Sequence, residues 1–271
     1  MFGIRKLKNG NVRKNQGRSA FTLVEIIVVL GIIGVLAGSL IPLSFYYIGA
    51  RREEATRQEI RAIYGGIFGD PQKGNFGYLG DIGALPDDLN DLIGRPDGVP
   101  VFAYYTNGVG YGWRGPYIDA QFSDIKDGWG NAYDFGAINA GQIRSAGPDG
   151  TFSATGDNIV FPFVDPSGGA VETDGTLLVT VFVNDMPNPV GTTMEVFYAT
   201  NGAENATPLL DNTPSDGFKF SVAQGIHAVR VTHVSTDTSP ITMVKYVNVP
   251  VDARRQVNVE IFLKTSGIVN S

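Results

Sequence analysis

The chain has 271 residues, 35 of them glycine and 15 proline, no cysteine, and a formal net charge of −6. That length suits one or two domains beyond any targeting segment, and the glycine and proline content favours many turns and short strands over a helical bundle. Without cysteine there can be no disulfide, thiolate metal site or cysteine nucleophile.

Residues 1–20 form a basic leader. Arg5, Lys6, Lys8, Arg13, Lys14 and Arg18 lie there and no acid does; with those six set aside, 15 basic residues face 27 acids, a balance of about −12. Basic residues ahead of an apolar run are the pattern of a cytoplasmic flank. The acidic remainder offers no basic stripe and argues against nucleic acid as a partner. The apolar run starts abruptly and no small-x-small cleavage site follows it, unlike a secretory signal.

One long helix is expected over 21–68. Its first part, 21–50, is apolar, and Ile26 to Ala50 carries no charge. Such a stretch reaches about 37 Å as a helix, enough to cross a bilayer core. Glu25 is the one acid at its start, although an ionised carboxylate in hydrocarbon costs roughly 2.5–3.5 kcal/mol or more. Gly34 and Gly38 lie four apart on one face, a small-xxx-small pair that lets helices approach closely. Pro42 removes a backbone donor and should loosen the helix there. From Arg51 the pattern turns amphipathic: Ile60, Ile63, Tyr64 and Ile67 share a face, and Glu53 and Arg57 form an i,i+4 pair. Gly65, Gly66 and Gly69 mark the end.

Residues 69–165 are turn-rich and read as a small β-sheet head. The runs 132–138 and 158–164 read as strands, and "LPDDLNDLI" as a short helix with Pro86 near its start. "PSGGAVETDG" at 166–175 reads as a linker. Residues 176–271 then carry strand-like runs at 176–184, 193–200, 217–223, 226–234, 241–249 and 256–263, separated by turn residues. That spacing suggests an antiparallel β-sandwich, immunoglobulin-like or transthyretin-like. The expected fold class is therefore α+β: a long, partly transmembrane helix packed on a small β head, then a C-terminal sandwich.

Chemistry is sparse. No GxSxG, P-loop, HExxH or Rossmann pattern occurs, and no enzyme activity is expected. His227 and His233 are the only histidines; they read as sandwich residues, with a metal pair as the alternative. Trp113 and Trp129 read as core anchors rather than exposed binding aromatics. "GPDGTFSATGDN" carries Asp149, Asp157 and Asn158 among glycines and hydroxyls. It reads as either a plain polar loop or a calcium loop, since calcium takes six to eight oxygens from such segments.

"AFTLVEIIVVLGIIGVLAGSLIP" resembles the N-terminal signature of type IV pilins and type II secretion pseudopilins. The resemblance implies cleavage by prepilin peptidase between Ala20 and Phe21 and N-methylation of Phe21. The family usually has glycine where this chain has Ala20. Glu25 becomes the fifth mature residue, an assembly residue in that family, and Gly34, Gly38 and Pro42 fall in the helix that packs the filament core. "WRGPYI", "DGWGNAYDF" and "IRSAGPDGTFSATGDNI", preceded by "GALPDDLNDLI", resemble the major (G-type) pseudopilin. That resemblance implies a structural Ca2+ site, with the side chains of Asp149 and Asp157, the side chain at Asn158, where the family has an acid, and the carbonyls of Ala146 and Thr151. Residues 166–271 lie beyond what that family usually has.

The resemblance implies a structural subunit of a type IV pilus-like filament or a type II secretion pseudopilus. Its partners would be further copies of the chain, prepilin peptidase, an inner-membrane assembly platform with its ATPase, and the lipid bilayer before assembly. It would start in the inner membrane as a single pass with the N-terminus cytoplasmic, then enter a periplasmic pseudopilus or a cell-surface filament. The contrasting class is a membrane-anchored extracytoplasmic binding module, whose β domain recognises a glycan or protein and for which Glu25 has no special role.

Overall fold

In the computed structural model the described residues are 21–119, 125–135, 142–152, 157–162, 172–205, 207–212, 217–236, 241–253 and 255–264, with the side chains at 39, 41–43, 142, 161 and 162 set apart. The leader 1–20 and most of the expected linker 166–175 lie outside them. The chain divides into two compact units, with the boundary between Gly49 and Ala50.

Helix α1 spans Leu23–Phe68, against the expected 21–68, and runs through position 42 without a break. In its first unit the described large apolar side chains from Phe21 to Ile48 are all exposed. Against the transmembrane segment expected over 21–50, among the described residues no helix is long and apolar enough to cross a membrane.

In the second unit the amphipathic half of α1 begins the core. Ile60, Ile63 and Ile67 are buried, with Tyr64 packed beside them. Glu53 and Arg57 pair at 2.8 Å. The helix ends at Gly69, whose φ of +68° is the left-handed conformation of a glycine stop; its N–H bonds the Gly65 carbonyl at 2.8 Å. A Cβ on Gly69 would come within 2.3 Å of the Asn75 carbonyl, so only glycine fits. Gly65 and Gly66 lie within α1 rather than beyond it.

The head follows. Helix α2 is Gly77–Ile82. The short helix expected over 85–93 is a single 3-10 turn, Leu89–Leu92, closed by reciprocal capping between Asp88 and Asp91. Strands β1 (Ala103–Tyr104) and β2 (Gly110–Tyr111) form one hairpin, and β3 (Gln142–Ser145) and β4 (Ile159–Pro162) another. The strand expected over 132–138 is reduced to isolated bridges at Ala132 and Asp134, and 136–138 lie outside the described residues. Trp113 and Trp129 pack against the head core, and the Trp113 indole N–H donates to the Asp91 carbonyl at 3.0 Å.

The C-terminal part is β-rich. Its strands are β5 (Asp174–Val183), β6 (Met186–Pro187), β7 (Thr192–Phe197), β8 (Ala199–Thr200), β9 (Ala203–Glu204), β10 (Leu209–Asp211), β11 (Phe218–Ala223), β12 (Gly225–Val234), β13 (Thr242–Val251) and β14 (Gln256–Leu263). One sheet has the order β10-β7-β12-β13; the other has β11-β5-β14, with β6 paired to β5. Their inward side chains share one core, including Leu177, Val179, Met194, Val229, Phe218 and Ile261. Period-two alternation is clearest in β5, where Leu177, Val179, Val181 and Val183 are buried between half-buried neighbours.

The expectation of a purely antiparallel sandwich needs correction. β14 pairs with β5 in parallel, from Thr176 opposite Gln256 to Val183 opposite Leu263. Parallel neighbours need a long crossover, and here everything between β5 and β14 supplies it. β13 closes one sheet, and β14 lies in the other. Lys245 Nζ, on β13, donates to the Phe262 carbonyl on β14 at 3.2 Å.

Head and β-rich part pack directly. Val109 and Tyr111 share a small buried cluster with Ala199 and Ala228, and the Tyr111 hydroxyl donates to the Phe197 carbonyl at 3.0 Å.

Candidate functional site

The first candidate is the start of α1. Thr22 occupies the cap position and Glu25 the third helical position. The Glu25 carboxylate accepts from the Thr22 N–H at 2.8 Å and from its hydroxyl at 3.1 Å, while the Glu25 N–H donates to the Thr22 hydroxyl at 3.2 Å. This is a capping box, a T-x-x-E arrangement that satisfies otherwise orphaned donors at a helix start. The T-x-x-E spacing of "TLVE" is the sequence signal of this cap. Phe21, next to the expected cut, is 78% exposed; Ala20 lies outside the described residues. A Cβ on Gly34 or Gly38 would meet nothing within 4 Å, so that face of the helix is open to close approach.

The second candidate is the loop after β3. Ala146 is buried and leads into a 3-10 turn, Gly147–Asp149. The Asp149 carboxylate accepts from the Thr151 N–H and from its hydroxyl, both at 2.8 Å. Gly147 has a φ of +69°, and a Cβ there would come within 2.3 Å of the Asp157 carbonyl. The two ends of the loop therefore meet at this glycine. Asp157 Oδ1 is buried with no hydrogen-bond partner among the described residues. Asn158 is half-buried beside it; residues 153–156 lie outside the described set. Among the described residues no group of three or more His, Asp or Glu side chains could hold a metal ion.

A buried Asp127 ties this loop to α1, and the sequence reading missed it. One oxygen accepts from the N–H groups of Trp129 (3.0 Å) and Asn131 (2.8 Å); the other accepts from the Ser145 hydroxyl at 2.6 Å. The Asn131 amide donates to the Gly147 carbonyl at 2.9 Å. On the other side, the Gly128 N–H donates to Thr56 of α1 at 2.9 Å. A Cβ on Gly128 would lie 2.4 Å from the Arg52 carbonyl. The signal was the aspartate opening "DGWGN", since Asp accepts locally from N–H groups two residues on. Nearby, burial pushes the Glu59 carboxyl up, opposed by the Tyr133 hydroxyl that donates to it at 2.7 Å.

The histidines are both buried on β12. His227 Nε2 contacts the Ala223 carbonyl at 2.6 Å, and His233 Nδ1 contacts the Thr192 hydroxyl at 2.9 Å. Each is engaged within the β-rich part by a different partner. Burial pulls the His227 imidazole down to about 4.

Residues 15–41 match the prokaryotic N-terminal methylation motif. The matched span contains Ala20, Phe21, Glu25, Gly34 and Gly38 and ends one residue before Pro42. No curated protein matches the chain. The motif is a type IV pilin and pseudopilin signal. It points to a pilin-like protein processed by prepilin peptidase, anchored through its N-terminus, and structural rather than catalytic; it implies filament assembly.

Proposed function

We propose that the chain is a structural subunit of a type IV pilus-like filament, held in the inner membrane by residues 21–50 before assembly and packed through the same residues afterwards. The observation that carries this reading is the first unit of α1. Its described large apolar side chains, from Phe21 to Ile48, are all exposed, directly behind a matched processing signal. A monomeric soluble protein rarely exposes so large an apolar surface. Lipid covers it before assembly and neighbouring copies cover it afterwards. The open Gly34 and Gly38 face lets helices approach.

Cleavage before Phe21 creates a free amine within about one helical turn of Glu25. A carboxylate in an apolar setting needs a cationic partner. A neighbouring copy's new N-terminus supplies one, and the capping box holds Glu25 at the helix start until it does. Extraction from the membrane falls to an assembly platform and its ATPase.

Ancestry in the pseudopilin group is supported by "WRGPYI", "DGWGNAYDF" and the acidic loop. That ancestry would bring a calcium ion, which Asp149, Asp157 and Asn158 and the carbonyls of Ala146 and Thr151 would hold. The unpartnered Asp157 Oδ1 supports that fit. The ion would neutralise the loop and clamp its two ends together. The deciding experiment for the filament reading is the mass of the membrane-extracted protein. A mature N-terminus at Phe21, carrying a methyl group, is expected; an intact 1–20 segment overturns the proposal.

A further inference from the structure

A cavity of about 570 Å³ opens where the β1–β2 hairpin and α2 meet the outer face of β12 and β13. Its size falls in the range of small-ligand sites, which combine apolar walls with a few fixed polar groups.

The polar groups here are fixed from behind. The Arg114 guanidinium makes a two-pronged pair with the Asp81 carboxylate, Nε to Oδ2 at 3.1 Å and Nη2 to Oδ1 at 2.9 Å. Asp81 is only 5% exposed, and the Tyr117 hydroxyl donates to it at 3.0 Å. The guanidinium also lies over the Phe102 ring, 4.8 Å from its centroid. Phe102 is seated on Gly110, where a Cβ would come within 2.3 Å of the ring. Tyr104 meets Phe102 edge to face at 5.4 Å and is itself 78% exposed. Arg114 and Tyr104 are thus held in place before any ligand arrives, which lowers the ordering cost of binding. β13 adds the Asn248 side chain to the lining, its amide nitrogen 3.7 Å from where a Cβ on Gly108 of the hairpin would lie.

Charge narrows the ligand class. Among the described lining residues Asp81 and Arg114 are the only charged ones, and they neutralise each other. Nothing there favours an ion of either sign. Arg114 spends the donor of Nε and one of Nη2 on Asp81, which leaves three of its five N–H donors for a ligand. An exposed aromatic ring beside a guanidinium edge and a side-chain amide suits a molecule with apolar C–H faces and neighbouring hydroxyls.

We propose that this cavity binds a neutral oligosaccharide, with Tyr104 against the face of a sugar ring, Arg114 donating to its hydroxyls and Asn248 donating to them or accepting from them. The proposal does not depend on filament assembly, because every lining residue belongs to the 50–271 unit.

The test is calorimetric titration of the full-length protein in detergent with maltotriose, cellotriose and chitotriose, and with a proline-rich decapeptide. At least one sugar is expected to bind. Tyr104→Ala and Asn248→Ala should each weaken that binding tenfold or more, with unchanged thermal melts, since both side chains are exposed. Failure of all three sugars to bind overturns the proposal. So does sugar binding that is indifferent to both substitutions. Binding of the decapeptide alone, lost in Tyr104→Ala, also overturns it and assigns the cavity to a peptide.

Discussion

The side-chain amide of Gln224 donates to the backbone carbonyl of Phe68 at 2.6 Å, so a residue between β11 and β12 caps the C-terminal end of α1. The same nitrogen donates to the Phe76 carbonyl at 3.1 Å, and Gln224 is 3% exposed. Helix ends leave carbonyls without intrahelical donors, and Gln224 supplies a donor at Phe68; the Phe76 carbonyl, at the start of α2, also accepts from the Gly80 N–H at 3.0 Å. Gln224→Leu keeps the bulk and removes the donors. Losing a donor to a buried carbonyl costs about 1–3 kcal/mol. Urea denaturation should show a loss of about 1–3 kcal/mol, and a loss below about 0.5 kcal/mol would contradict this assignment.

Gly65 and Gly66 are adjacent in α1 and should respond to alanine with opposite signs. A Cβ on Gly65 meets nothing within 4 Å, whereas one on Gly66 lies 2.7 Å from Ile118 Cγ2 and 3.1 Å from the Tyr117 carbonyl. Gly65→Ala should stabilise by about 1 kcal/mol through helix propensity. Gly66→Ala gains the same propensity but overpacks a buried contact, at a cost of about 1–3 kcal/mol. Because part of that contact is backbone, a net loss is expected in thermal melts.

Capping and assembly by Glu25 can be separated chemically. Glutamine also completes a capping box, but it cannot pair with an amine as an ion. Glu25→Gln should therefore leave helix content by circular dichroism unchanged and abolish filaments seen by electron microscopy. Thr22→Val removes the cap hydroxyl and keeps the charge, so filaments should persist. Normal filaments from Glu25→Gln would show that the carboxylate's role ends with the cap.

His227 makes stability depend on pH. Its folded value of about 4 lies below the unfolded value near 6.5. Burial is the cause, only partly offset by the Ala223 carbonyl. The unfolded chain takes up the proton first as pH falls, so stability is intact above pH 6.5 and is lost progressively down to about pH 4. The full difference corresponds to about 3 kcal/mol. Denaturation midpoints measured between pH 7 and pH 4 should fall accordingly. His227→Gln should flatten that slope.

Calcium should stabilise the head, because an ion that binds only the folded state shifts the equilibrium by about 2.7 kcal/mol at a hundredfold excess over Kd. A chelator is expected to lower the melting temperature by several degrees. Asp157→Asn should melt at the chelated temperature with or without the ion. An unchanged melt on chelation would remove calcium from the account.

Much of the fold was legible locally. The extent of α1 follows from an apolar run, the 3.6-residue spacing of Ile60, Ile63 and Ile67, and a glycine that alone accepts the left-handed stop at position 69. The six strand runs after residue 175 follow from alternation and turn residues, because each strand's inward set is written within its own ten residues. The methylation signal is likewise a contiguous stretch. Partnership was not legible. Nothing in "QVNVEIFL" says that β14 runs parallel to β5, some eighty residues earlier. Nothing in "SVAQGI" marks Gln224 as the cap of a helix ending at Phe68. Asp127 is one of 27 acids in the sequence with nothing to mark it out, yet it is buried because Trp129, Asn131 and Ser145 supply its donors. Sequence periodicity determines which face of an element is apolar; which element covers that face, and which buried polar groups find partners there, is decided only when distant segments pack together and exclude water.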